Sequence, residues 1–137
     1  MRKLFFLLFF FPLLSVGQPF HIKECRVRPI FYNDSAYSDI HLVLISKRDK
    51  DSFYIDSLTF NNINSQYLQM SVLGKALNEK NYQKNDSLLF QCHTSYIEKP
   101  EESEIRLYYH FAKKPKKNYA VRIKKIRILK QIDIQQY

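Results

Sequence analysis

Between residues 105 and 124 apolar and polar side chains alternate with a period of two. Ile105, Leu107, Tyr109 and Phe111 take turns with Arg106, Tyr108 and His110, and Tyr119, Val121 and Ile123 take turns with Arg122 and Lys124. Successive side chains of a strand point to opposite faces, so the pattern is that of two half-buried strands. Between them the run Lys113-Lys114-Pro115-Lys116-Lys117 is too charged to bury and makes a turn. The segment reads as a β-hairpin. Matching its apolar faces sets Phe111 opposite Tyr119, Tyr109 opposite Val121 and Leu107 opposite Ile123. The phase slips at Lys124-Lys125 and resumes at Ile126 and Ile128, as one extra residue in a β-bulge would produce. Past that bulge Ile105 is expected to face Ile126, Glu104 to face Arg127, and Glu101 to approach Lys130.

Strand signals continue upstream. Phe20 to Tyr32 shows two apolar phases, and Pro29 removes a backbone donor, which favours a sheet edge there. Asp39 to Ser46 is almost wholly apolar, as expected of a central strand covered on both faces. Phe53 to Phe60, Gln66 to Leu73 and Ser87 to Tyr96 complete the set, with a polar stretch after Gly74 that holds a short helix near Lys75 to Lys84. Seven strands separated by turns, with no amphipathic helix of core size, predict an all-β fold. The expected architecture is an antiparallel β-sandwich with the strand count of an immunoglobulin-like domain, and a small closed β-barrel is the alternative.

The chain begins with an address rather than with structure. Met1-Arg2-Lys3 is positive, Leu4 to Leu14 is apolar, and Ser15 and Gly17 place small residues at −3 and −1 of a cut before Gln18. This is the three-part pattern of a secretory signal over residues 1–17. Its apolar run falls well short of the ~20 residues a spanning helix needs. Residues 18–137 are left as one domain, exported to a periplasmic or extracellular space. The richness in Lys, Asn, Ile and Tyr fits AT-rich codons and a bacterial source. With Arg2 and Lys3 set aside, 20 basic residues stand against 13 acidic ones, a net +7.

Cys25 and Cys92 are the two cysteines of the chain. In an oxidising compartment such a pair is expected to bond, and closing so long a loop is worth up to roughly 4 kcal/mol. The objection is geometric. In the common sandwich order the strands carrying them are not neighbours, whereas a disulfide needs Cα atoms within about 7 Å.

Catalytic sets are sparse. His21, His41, His93 and His110 sit on separate strands with no metal-ligand spacing, although His93 and His110 could meet across the sheets. There is no Gly-x-Ser-x-Gly elbow and no phosphate-cradling glycine loop. Glu101, Glu102 and Glu104 read as salt-bridged surface acids. No enzyme, metal site or cofactor is expected.

The cationic turns carry the functional expectation. Lys47, Arg48 and Lys50 fill one loop, and Lys113, Lys114, Lys116 and Lys117 fill another. In a seven-stranded sandwich these two loops emerge at one end, joined by the connection holding Lys75, Lys80 and Lys84. Such a pole can hold a polyanion, an acidic glycan or a lipid head group, with Tyr37, Tyr82 and Tyr119 as stacking surfaces. The competing explanation is that charged loop tips keep hairpins soluble and apart. The sequence thus describes an exported, non-catalytic binding or structural module whose partner is an envelope protein or glycan and not a specific nucleic acid. The alternatives are polyanion binding at the basic pole and a small apolar ligand carried in a cavity lined by Phe90, Leu107 and Phe111.

Overall fold

The computed structural model describes residues 17–134. The leader read over residues 1–17 lies, Gly17 apart, outside the described residues. The strands are β1 (Phe20–Tyr32), β2 (Ser35–Ser46), β3 (Phe53–Phe60), β4 (Ile63–Asn64), β5 (Gln66–Val72), β6 (Ser87–Ser95), β7 (Ile105–Phe111), β8 (Asn118–Ile123), β9 (Arg127–Ile128) and β10 (Ile132–Ile134). One sheet has the order β10-β1-β2-β6-β5, with β9 also on β1, and the other has the order β4-β3-β7-β8. Two sheets packed face to face make a β-sandwich, not a closed barrel. The seven expected strands fall in the order in which a constant-type immunoglobulin fold arranges its own, four in one sheet and three in the other.

Local chemistry explains the corners. Phe60 pairs with Ile63 across Asn61-Asn62, and both asparagines take positive φ (50° and 69°). That is the requirement of a type I′ turn, which asparagine meets at little cost. Ser65 then carries the chain from β4 in one sheet to β5 in the other, its N–H donating to Leu58 O at 2.9 Å.

The core forms where the inward faces meet. Ile40, Leu42 and Leu44 of β2 and Leu88 of β6 are fully buried against Leu58, Ile105 and Leu107 of the facing sheet. Phe20 closes one end, its ring 5.0 Å from Tyr109 and 5.7 Å from Phe53. β2 lies centrally between β1 and β6, as expected, but only one of its faces is covered throughout: on the other Val43 is buried while Asp39, His41 and Ile45 are half-buried.

Several expectations change. The β7–β8 hairpin forms, but Leu107 pairs with Val121, Tyr109 with Tyr119 and Ile105 with Ile123, two residues from the expected register. Two successive tight turns cause this. Lys114 N donates to Phe111 O and Lys117 N to Lys114 O, which brings Asn118 opposite His110. Phe111 instead pairs with Phe53 of β3.

The slip at Lys124-Lys125 is not a bulge. There the chain leaves its sheet, and β9 and β10 run parallel to β1, pairing Arg127 with Arg26 and Ile132 with Ile30. Arg127 therefore meets Glu24 (3.3 Å), while Glu104 pairs with Arg106. Leu129 N donates to Val27 O at 2.9 Å. By two-residue alternation the Pro29 nitrogen faces the same side, and it falls in the gap between the β9 and β10 pairings, where no donor is needed. Residues 75–84 form turns rather than a helix, with Lys75 N bonded to Val72 O and Glu79 N to Ala76 O.

Cys25 and Cys92 are buried, free thiols. Cys25 is opposite Leu42 and Cys92 is opposite Ile40, so β2 runs between them. Two strand spacings amount to ~9.6 Å, beyond the reach of a disulfide. The expected staple is replaced by two packed thiols.

Candidate functional site

The loops 47–52, 73–86 and 112–117 meet at one end of the sandwich. Ala112 N donates to Ser52 O at 3.0 Å, Lys50 N to Tyr82 O at 3.2 Å, and Lys84 N to the Asp49 carboxylate at 3.0 Å. Lys47, Arg48, Lys50, Lys113, Lys114, Lys116 and Lys117 therefore share one pole with Lys75, Lys80 and Lys84. These loops hold ten basic residues and four acidic ones, a net +6 out of the +7 of the described chain. The opposite pole, formed by residues 33–34, 61–62 and 96–104, holds five acids and one lysine.

The four acids at the basic pole do not neutralise its cations through ion pairs. Asp49 and Glu79 accept backbone N–H groups of Lys84 and Asn81, Asp86 accepts the N–H of Gln83, and Asp51 accepts the Tyr54 hydroxyl. Lys50 and Lys75 reach Asn81 (3.0 and 2.7 Å), and Lys80 caps the carbonyl of Met70 on the β5 edge. Among the described residues, nothing pairs with the ammonium groups of Lys113, Lys114 or Lys116.

Where the first and third loops touch, a notch of about 340 Å³ is lined by Arg48, Asp51, Phe111, Lys113, Lys114 and Tyr119. The Arg48 guanidinium lies 5.6 Å from the centre of the Phe111 ring, and the Lys117 ammonium 5.2 Å from that of Tyr119. Phe111 and Tyr119 meet edge to face at 5.5 Å. Cation–π contacts of this kind hold two charges in place at the mouth of the notch. Of the three tyrosines expected here, Tyr119 lines the notch, Tyr82 is buried against Phe53, and Tyr37 lies towards the other end of the molecule. Of the three residues named for the alternative apolar cavity, Phe90 and Leu107 sit in the packed core and Phe111 lines the notch.

A second constellation escaped the sequence reading. The register of β2 against β6 sets Asp39 opposite His93 on the solvent face of the larger sheet. His41 Nε2 donates to Asp39 Oδ2 at 3.1 Å, and His93 Nδ1 lies 3.5 Å from Asp39 Oδ1. His93 and His110 do not meet. His110 is on the other sheet and donates to Asp56, the extra residue at the β3 bulge, at 2.7 Å. Beside His93 a groove of about 530 Å³ opens between the end of β6, with Tyr37 of β2, and the adjoining residues of β4 and β5. The pairing of Asp39 with His93 needs a register, which no spacing in the sequence discloses. No group of three His, Cys, Asp or Glu side chains among the described residues is placed to hold a metal ion, and none of their helices is long and apolar enough to cross a membrane.

The chain matches no protein family, no curated protein and no solved structure.

Proposed function

We propose that the chain is an exported, non-catalytic binding module of the cell envelope that holds a polyanion at its basic pole. The observation that carries this reading is how the pole's acids are used. They are engaged by backbone N–H groups and a hydroxyl, so the net +6 is turned outward without internal ion pairs. A solubilising charge needs only to be exposed, whereas a binding charge must also be left unpaired and held in position. Arg48 and Lys117, each seated on a ring, meet the second condition. The ligand class is an acidic glycan or a layer of anionic head groups. The secretory pattern of residues 1–17 supports this reading, because such ligands occur outside the cell membrane.

The test compares residues 18–137 with a variant carrying Lys113→Glu, Lys114→Glu, Lys116→Glu and Lys117→Glu, which takes the pole from +6 to −2. Binding is measured to polygalacturonate, to heparin and to phosphatidylglycerol vesicles, at about 0.05 and about 0.5 M salt. Wild-type binding that falls steeply with salt and is lost in the variant supports the reading, and the probe that binds names the ligand source. Absence of binding to all three, or equal binding by the variant, overturns it.

A further inference from the structure

We propose that the groove beside His93 is a second binding site, separate from the basic pole, and that it takes a neutral sugar ring of a glycan chain. Its walls are aromatic. Tyr37 and Tyr67 stand nearly perpendicular to the His93 ring, with centroids 5.4 and 6.2 Å away and interplanar angles of 76° and 72°. The remaining lining is amide, hydroxyl and aliphatic, from Asn64, Gln66, Thr94, Ser95 and Ile63, and no Asp, Glu, Lys or Arg is among it. In a chain of which 26% is charged, a groove of about 530 Å³ free of Asp, Glu, Lys and Arg selects against charged ligands. Aromatic faces for C–H surfaces, together with neutral donors and acceptors for hydroxyl groups, are what a pyranose requires. A purely apolar ligand would leave Asn64, Gln66 and Ser95 unpaired.

Two features show that the groove is built at a cost to the fold. Tyr67 is 75% exposed and Ile63 61% exposed, so two large apolar side chains are held in water beside each other. Tyr67 also takes φ = 58°, at the register break between Gln66 and Gln69. A bulky residue is strained there, and Asn or Gly would sit more comfortably. The strained backbone turns the ring towards His93 instead of along the strand. His93 in turn is oriented from behind. Its Nδ1 is buried 3.5 Å from the Asp39 carboxylate that His41 holds, too far for a hydrogen bond and with no other partner, so its Nε2 edge is the one left for a ligand hydroxyl.

Affinity electrophoresis of residues 18–137 through gels containing mannan, hydroxyethyl cellulose or a soluble β-glucan tests the assignment. Wild type should be retarded by at least one of them. Tyr67→Phe keeps the ring and should bind as wild type, whereas Tyr67→Ala should weaken binding by about tenfold or more. Tyr67→Asn should abolish retardation while raising the thermal midpoint, because it removes the ring and relieves the backbone together. That opposite movement of stability and binding is not expected of a merely structural tyrosine. Failure of all three polysaccharides to retard the wild type overturns the proposal, and so does equal retardation of Tyr67→Ala. Retardation lost only in the four-lysine variant would transfer the binding to the basic pole and sink the groove while leaving the pole intact.

Discussion

The two buried thiols should make the fold lose stability as the solution turns alkaline. Burial pushes the Cys25 thiol up to about 12, with the neighbouring Cys92 and Glu24 adding to the effect. Burial pushes Cys92 up to about 11, opposed by a hydrogen bond from Ser65 and reinforced by Asp39. In the unfolded chain both ionise near the ordinary value of 9.0. Above that pH the unfolded state releases two protons that the folded state keeps, so stability is fully present below pH ~9 and falls as pH rises towards the folded values. At pH 10 the loss is about 1.4 kcal/mol per thiol, near 3 kcal/mol for the pair. In a domain of this size that lowers the thermal midpoint by about 10 °C. The assay follows thermal unfolding by circular dichroism between pH 8 and pH 10, comparing wild type with a Cys25→Ala/Cys92→Ala variant. The variant starts lower because it leaves small cavities, but its pH slope should be shallower by that amount, since tyrosines and lysines titrate alike in both proteins. Parallel slopes would refute the placement of two ionisable thiols in the core. The same structure requires two thiols to titrate with Ellman's reagent in denaturant and almost none in the native protein.

Leu42→Ala removes a fully buried side chain from the central strand and should cost about 2–5 kcal/mol, read as a lowered denaturation midpoint at unchanged m-value. Asn62→Val places a β-branched residue at φ = 69° and should cost about 1–3 kcal/mol, whereas Asn62→Gly should be neutral or mildly stabilising by the same measurement.

What alternation can and cannot read is clear from particular residues. Period two fixes which face a residue occupies, so β7 and β8 were legible as a hairpin with Leu107, Tyr109, Val121 and Ile123 inward. A two-residue shift leaves every face unchanged, which is why pairing Leu107 with Ile123 rather than Val121 was equally consistent with the pattern. The phase slip at Lys124-Lys125 is a genuine signal of departure from the ladder, but a bulge and a change of sheet produce the same slip. Asn61-Asn62 is a visible hairpin turn, yet the two-residue strand beyond it is too short to show any period. Basic loops sort themselves to one end as soon as the strand count and fold are known, so the pole could be located from sequence. The Asp39–His93 pair could not, because it depends on which residue of β6 lies opposite β2.

The two sites can also be tested against each other. On β6, Ser87 adjoins the pole and His93 the groove, six residues apart. At ~3.3 Å per residue the groove lies about 20 Å from the pole, roughly twice the Debye length at 0.1 M salt. Substitutions that far apart with no shared partner add within a few tenths of a kcal/mol. The four-lysine reversal should therefore leave affinity for a neutral polysaccharide within about twofold, and Tyr67→Ala should leave heparin binding unchanged. Combining the variants should give the product of the separate effects. Coupling well beyond twofold would mean that one extended ligand spans the solvent face of the larger sheet from pole to groove. In that case a glycan carrying both acidic and neutral sugars should bind more tightly than either kind alone.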